Sequence, residues 1–221
     1  MKRSRRNGLL VVACAVTAGL VGVLAPVVVT APPPVRRPGM PASDLNSLGD
    51  VVASCRDTGL DGWALVDHAT ALVNQRMTRH SVWHLWETPG VAYARQRGFS
   101  GQYNLALAHV LRQLGFHVEV VHAARVRFAA GQGPGTPWWR TGHTWLRVTH
   151  EGRTEDVSAG QDGNIAGHVG FTPASDVRTV HPWTHLDIRL GLLGFVTAAV
   201  WRHLLRGNPL PNWLDQPFHA D

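Results

Sequence analysis

Residues 8–30 contain no charged side chain, and this run constrains the chain more than any other feature of its sequence. As an α-helix these residues would extend roughly 34 Å, which is enough to cross the hydrocarbon core of a bilayer. Four basic side chains precede the run, and only Arg36 and Arg37 follow it closely. This asymmetry predicts a single-pass membrane segment with its N-terminus in the cytoplasm and the rest of the chain on the extracytoplasmic side.

A cleaved signal peptide is the alternative interpretation, because it also begins with basic residues and an apolar run. Two possible cleavage sites end in a small residue, at Ala25 and Ala31, but each is followed by proline. The fixed φ and missing N–H of proline suit a peptidase cleft badly. We therefore expect an uncleaved signal anchor over residues 1–30 at the cell membrane, with secretion after cleavage as the alternative.

The net charge of +6 lies entirely in the N-terminal region. Residues 1–43 hold six basic side chains and no acidic one, and the remaining 15 Arg balance the 15 Asp and Glu. A body without formal charge lacks the basic excess that binding to phosphates requires. We therefore expect no nucleic-acid partner.

The remaining chain divides into a linker, one domain and a C-terminal segment. Residues 31–42, APPPVRRPGMPA, predict a stiff, extended linker. We expect a folded domain over 43–187, followed by an amphipathic helix and tail over 188–221. That helix would either pack on the body, which is the commoner arrangement, or lie at a membrane interface. Cys55 is the only cysteine of the body, so the body forms no internal disulfide.

Apolar periodicity indicates helices first and strands afterwards. Apolar residues at helical spacing predict helices over 63–77 and 102–114. Alternating, Val-rich patterns predict strands over 117–128, 143–148 and 153–157. Helices followed by an antiparallel meander are typical of an α+β fold.

Three polar residues stand at informative places among these elements. Ser100 lies at the start of the second helix, His143 opens the second strand and Asp156 lies on the third. Ser100 is also a favoured residue type for capping a helix N-terminus. Both a site role and a capping role are therefore open for it.

The stretches around these residues resemble the transglutaminase-like superfamily, which has a papain-like Cys-His-Asp core, and more distantly the arylamine N-acetyltransferases. The matching segments are RGFSGQYNLALAHVLRQLGFHVEVVHAARV at 97–126, GHTWLRV at 142–148 and GRTEDVSAG at 152–160. The resemblance extends over roughly residues 60–178. It implies an α+β fold in which the helix that carries the nucleophile packs on an antiparallel sheet.

The resemblance also implies catalytic roles, with one departure from the family pattern. Ser100 would be the nucleophile, His143 the base and Asp156 the residue that orients His143. The family nucleophile is Cys, whose thiol ionises readily at a helix N-terminus beside His. A serine hydroxyl does not ionise in this way and depends on His143 to remove its proton during attack.

Two functions are consistent with this departure. One is acyl transfer or amide hydrolysis on envelope peptides or proteins through a Ser-His-Asp variant of the triad. The other is a catalytically inactive domain that binds a peptide or a partner protein.

Four further residues are candidates for binding a substrate. Trp138 and Trp139 lie on the loop before His143, where they would either line a cleft or fold the loop onto the body. Gln102 and Asn104 lie in the first turn of the second helix, where they would line the site or cap the helix locally.

The spacing of the histidines is weak evidence for a metal site. His80 and His84 are four residues apart, as are His181 and His185, and neither pair belongs to a His-Glu-x-x-His motif. We therefore predict no metal and no cofactor. The amino-acid sequence does not indicate the oligomeric state.

Overall fold

The computed structural model describes residues 2–32, 45–129 and 142–217, with side chains for all of these except residues 2–13 and 182–185. The helices are α1 (Lys2–Val29), α2 (Leu48–Asp57), α3 (Gly62–Arg76), α4 (Pro89–Ala94), α5 (Ser100–Gln113) and α6 (Pro182–Arg206). The strands are β1 (Arg79–Ser81), β2 (Arg97–Gly98), β3 (His117–Ala123), β4 (Val126–Phe128), β5 (His143–His150), β6 (Arg153–Val157), β7 (Phe171–Pro173), β8 (Val177–Thr179) and β9 (Asp215–Pro217).

The described strands form three sheets. The largest has the order β6-β5-β3-β8 and is antiparallel throughout. In the second sheet, β1 lies between β2, which is parallel to it, and β9, which is antiparallel. Strands β4 and β7 form an antiparallel pair. The α+β class predicted from the sequence is therefore confirmed as a mixture of helices and mainly antiparallel sheets.

The predicted central elements are present with shifted ends. The helix predicted at 63–77 is α3, and the helix predicted at 102–114 is α5, which begins two residues earlier, at Ser100. The strand predicted at 117–128 is two strands, β3 and β4, which belong to different sheets.

Turn residues mark two of the boundaries around these elements. Gly115 has a φ of +93° just after α5, a conformation that glycine adopts without steric cost. Glu151 and Gly152 both have positive φ between β5 and β6, as a two-residue type I′ hairpin turn requires.

The main core lies between the helices and the inner face of the four-stranded sheet. Helix α5 is its centre, because α5 contacts α2, α3, α4, β3 and β5. Its fully buried side chains include Val66 and Val73 of α3, Leu107 and Leu111 of α5, and Leu146 and Val148 of β5. The packing holds the N-terminus of α5 beside the start of β5.

A second cluster joins the end of α1 to the body. Val27 is buried there with Trp83, Phe99 and Val200. The Trp83 indole N–H donates to the Val27 carbonyl at 2.6 Å, and the Arg97 guanidinium donates to the Pro32 carbonyl at 3.0 Å.

This contact includes the first two residues of the predicted linker. Ala31 packs against the second cluster, and the Pro32 carbonyl is bonded to the body. Ala31 and Pro32 therefore lie against the body, and the linker over 31–42 stays a prediction. Residues 33–42 of that segment lie outside the described residues.

Helix α6 differs from the predicted C-terminal helix in its start and in the path of the chain after its end. It begins at Pro182 instead of residue 188, and the chain then returns to pair β9 with β1. Among the described residues, Leu186–Arg206 is the one helix long and apolar enough to cross a membrane, whereas Cys14–Val29 is a shorter apolar helix. The membrane segment expected near the N-terminus stays a prediction.

A buried ion pair under α1 provides a test of this architecture. Glu87 and Arg97 are 2.8 Å apart, and their side chains are 3% and 6% exposed. Arg97→Met should lower the free energy of unfolding by about 3 kcal/mol, because it leaves a buried carboxylate without its main partner. Denaturant unfolding of the full chain in detergent measures the change.

The matched control is Arg95→Met. Arg95 contacts the same carboxylate, but its side chain is 51% exposed. We expect this variant to lose less than about 1 kcal/mol. Equal losses in the two variants would show that burial does not set the strength of the pair.

Candidate functional site

Ser100 is the first residue of α5, and its side chain is buried. Its Oγ accepts a hydrogen bond from the backbone N–H of Thr144, at 3.4 Å. The N-cap of the helix is Phe99, whose backbone N–H donates to Gln102 Oε1 at 3.2 Å. Ser100 is therefore not the N-cap residue, and its hydroxyl is directed toward the start of β5.

His143 is the first residue of β5, and its ring lies in an aromatic pocket. Its ring centroid is 4.6 Å from that of Phe171 and 5.5 Å from that of Phe128, both edge-on, and the ring stacks on Trp145. Burial, together with the nearby His80 and His122, lowers the pKa of His143 to about 3. The ring is therefore neutral at neutral pH.

The polar neighbour of the His143 ring is Ser158, a residue that the sequence patterns did not single out. Its Oγ lies 3.4 Å from His143 Nε2 and also accepts from the backbone N–H of Gly160, at 3.3 Å. Ser158 is 1% exposed, so a substrate could not reach its hydroxyl. In the sequence, Ser158 follows Asp156 by two residues, and such residues lie on the same face of an extended chain. This spacing could have identified Ser158 as a site residue.

The structure does not bring Asp156 to His143, which corrects the predicted triad. The register of β5 and β6 pairs Asp156 with Arg147, and the two side chains form an ion pair of 3.2 Å. Arg147 lies four residues along β5 from His143, a separation of about 13 Å. Asp156 is therefore too far along the sheet to orient the His143 ring.

No described carboxylate takes the place of Asp156. The residues that contact the His143 ring within the described part of the chain are aromatic side chains and Ser158. The preceding loop, residues 130–141, contains neither Asp nor Glu. Among the described residues, no charged group contacts the His143 ring in the way that the carboxylate of a serine triad fixes the tautomer of its histidine.

Gln102 caps the start of α5, which was one of its two predicted roles, and does not make the predicted substrate contact. Its side chain is fully buried, and its amide donates to the carbonyls of His84 and Glu87 at 2.9 and 3.0 Å. With the bond from Phe99, it connects the start of α5 to the segment before α4. None of its polar atoms is directed toward solvent.

Asn104 requires the same correction. Its fully buried amide donates to the Thr144 carbonyl at 2.6 Å and to Ser158 Oγ at 3.3 Å. Its carbonyl oxygen accepts from the Ala159 N–H at 2.9 Å. Asn104 therefore joins α5 to β5 and to the segment after β6, and it offers nothing to a substrate.

The remaining predicted positions are not resolved by this geometry. Trp138 and Trp139 lie outside the described residues, so their binding role stays a prediction. Within the described part of the chain, no group of three or more His, Cys, Asp or Glu is placed to hold a metal ion.

The structure therefore places Ser100 and His143 at the starts of α5 and β5, and the described hydrogen bonds join each of them to other residues, Ser100 to Thr144 and His143 to Ser158. A general base acts best when its pKa lies near the working pH. A pKa of about 3 makes the His143 ring a weak base at neutral pH. The N-terminal position of Ser100 on α5 does not compensate, because a helix dipole does not ionise an alcohol.

Comparisons with known proteins give only weak likeness. No family model and no curated protein matches the chain. Among solved structures it is similar to a crystal structure of a TGase, at 14% sequence identity and a TM-score of 0.40. The likeness covers 63% of this chain and 38% of that one, so the chain spans about two fifths of that structure. A likeness of this size carries no argument about the fold or the activity of this chain.

The lowered pKa of His143 makes a prediction about stability and pH. Its folded-state value lies below the unfolded value of 6.5, so the unfolded chain binds the proton more readily. Stability should therefore fall as the pH decreases from about 6.5 toward 3. In His143→Phe, the slope of the unfolding free energy against pH should be smaller by up to about 1.4 kcal/mol per pH unit. Denaturant unfolding at a series of pH values measures it.

The control for this experiment is His109→Phe, at an exposed position on α5. It should keep the slope of the parent protein. If His143→Phe also keeps that slope, the ring is charged in the folded state and the account of the aromatic pocket is wrong.

Proposed function

We propose that this chain is a membrane-anchored, extracytoplasmic domain of transglutaminase-like fold that binds a peptide or protein of the cell envelope without acyl transfer. One observation carries the proposal: the His143 ring contacts Ser158, not a carboxylate. The domain keeps the architecture of an acyl-transfer core and lacks the group that would orient its base.

The chemistry of a serine nucleophile explains why this matters. Ser100 needs a base that accepts its proton during attack and a carboxylate that stabilises the resulting imidazolium. His143 is buried among aromatic rings, and Asp156 is paired with Arg147. An imidazolium at that place would be desolvated and without a counter-charge.

A binding role draws on the loop that precedes β5. Trp138, Trp139 and Arg140 follow one another there, directly before Gly142 and His143. Tryptophan and arginine are the residue types that most often dominate binding energy at interfaces. We propose that a bound peptide contacts this loop.

Anchoring through α1 is supported by the second cluster. Cleavage after Ala31 would remove Val27 and leave the buried Trp83 indole N–H without its acceptor. Cleavage after Ala25 would leave Val27 near a charged new terminus. Both outcomes disfavour a cleaved signal peptide, because an unpaired buried donor costs free energy.

A second candidate function is acyl transfer with Ser100 as the nucleophile. The observation in its favour is the contact of Ser100 Oγ with the N–H of Thr144, the residue next to His143. This places the hydroxyl at the end of β5 that carries the base. The two functions differ in whether Ser100 reacts.

A fluorophosphonate probe, which labels activated serines, separates the two functions. We expect the full-length protein in detergent to label no faster than Ser100→Ala, because His143 is a poor base at neutral pH. Labelling is measured by in-gel fluorescence over time. Ser158→Ala is the matched control, since it replaces the other serine close to the ring. Labelling that disappears in Ser100→Ala alone would overturn the non-catalytic proposal and establish the second candidate.

Peptide binding is tested at the tryptophan loop. In a screen of an extended-peptide array, we expect binding by the parent protein and a loss of at least about tenfold when Trp138→Ala and Trp139→Ala are combined. Trp86→Ala is the control, because this indole is 46% exposed and lies outside the loop. Equal binding by the parent and the double variant, or no binding by the parent, would contradict the proposal.

A further inference from the structure

Helix α6 has an exposed apolar face in addition to the face that it buries. Val196 and Val200 are fully buried in the second cluster. Leu186, Leu190 and Leu204 are 45%, 56% and 47% exposed. At 100° per residue these three leucines fall within about 40° of one another, along about 27 Å of helix. Between Leu190 and Leu204 this side carries Leu193, which packs against the second cluster, and Trp201, which bonds to α1. The exposed leucines at the two ends are candidates for an interaction surface.

Helix α6 is long enough to cross a bilayer, but both of its ends return to the same body. Strand β8 ends three residues before α6 and pairs with β3. Strand β9 begins nine residues after α6 and pairs with β1. A spanning α6 would force residues 207–214, which are mostly irregular, back through about 30 Å of hydrocarbon, where such backbone cannot be satisfied.

Contacts with α1 set the depth of α6 relative to the proposed membrane segment. The Trp201 indole N–H donates to the Val23 carbonyl at 3.0 Å. Val23 lies six residues before the end of α1, which is about 9 Å along the helix axis. Helices that lie in a membrane interface bury their apolar face by about 5–10 Å. The contact therefore places Trp201 within the depth range of an interfacial helix, measured from the end of α1.

The charges of α6 indicate which lipids it would meet. The helix carries three arginines, Arg189, Arg202 and Arg206, and one acidic residue, Asp187. Arginine side chains can extend from an apolar helix to the head groups while their stems stay in the apolar layer. A basic excess on such a helix favours anionic lipids.

We infer that α6 lies in the plane of the membrane interface, with its exposed leucine face in an anionic phospholipid bilayer beside α1. The helix seats the body directly on the bilayer. This inference rests on the proposed anchoring by α1, and it adds a second, in-plane contact that one membrane segment would not provide.

Depth-dependent fluorescence quenching tests this arrangement on the full-length protein. Cys14→Ser removes the exposed native thiol, and Cys55 is buried. Leu190→Cys and Leu204→Cys then carry an environment-sensitive fluorophore on α6, Leu20→Cys carries it on α1, and Leu60→Cys carries it on an exposed loop of the body. The vesicles contain phosphatidylcholine and phosphatidylglycerol, with spin labels attached at a shallow or a deep acyl position.

We expect the shallow label to quench the fluorophores at 190 and 204 at least about twice as strongly as the deep label, as an interfacial depth implies. The fluorophore at 20 should be quenched more by the deep label, and the fluorophore at 60 by neither. In vesicles of phosphatidylcholine alone, quenching at 190 and 204 should decrease. Unchanged melting temperatures in detergent show that the variants fold.

Each other result overturns a defined part of the inference. Quenching at 20 without quenching at 190 and 204 would leave α1 as an anchor and remove the in-plane helix. A deep position for 204 with a shallow position for 190 would show an inserted α6. Equal quenching in both lipid mixtures would remove the preference for anionic lipid. No quenching at 20 would instead overturn the anchoring proposal itself.

Discussion

The buried amide of Asn104 is the interaction on which the site geometry depends. It bonds a carbonyl of β5 and an N–H of the segment after β6, so one side chain fixes α5 against both. Buried backbone groups must find partners, and here each bond restrains an element that carries a site residue. Ser100, His143 and Ser158 therefore keep their relative positions whether or not the site reacts.

The sequence predicted elements well and the third member of the site poorly, for a physical reason. Periodicity identifies which residues share a face, and it placed Ser100 and His143 at the starts of α5 and β5. It does not show which residue of the neighbouring strand lies opposite. The register that pairs Leu146 with Val157 carries Asp156 away from His143. The same limit applies to Asn104, whose helical position was predicted correctly while its backbone partners lie 40 and 55 residues away.

Local sequence patterns also could not predict how α1 and α6 pack against the body. Composition identified both apolar segments, but their placement depends on single indole and guanidinium donors that reach carbonyls of residues 23–32. Such bonds have no signature at short range, because the donor and the acceptor are between 56 and 178 residues apart. The proline-rich residues 31–42 were therefore expected to separate α1 from the body. The contact between α1 and the body begins before them, at Val27.

The two regions meet at Phe99. Its side chain is buried in the second cluster with Val27 and Val200, and the next residue is Ser100. Under the proposed anchoring, the nucleophile position thus lies at the end of the body closest to the bilayer. Under the proposed anchoring and in-plane helix, α1 and α6 bound the body on this side, and a partner would approach along the membrane surface. This favours a ligand that is itself held at the membrane over one that diffuses freely.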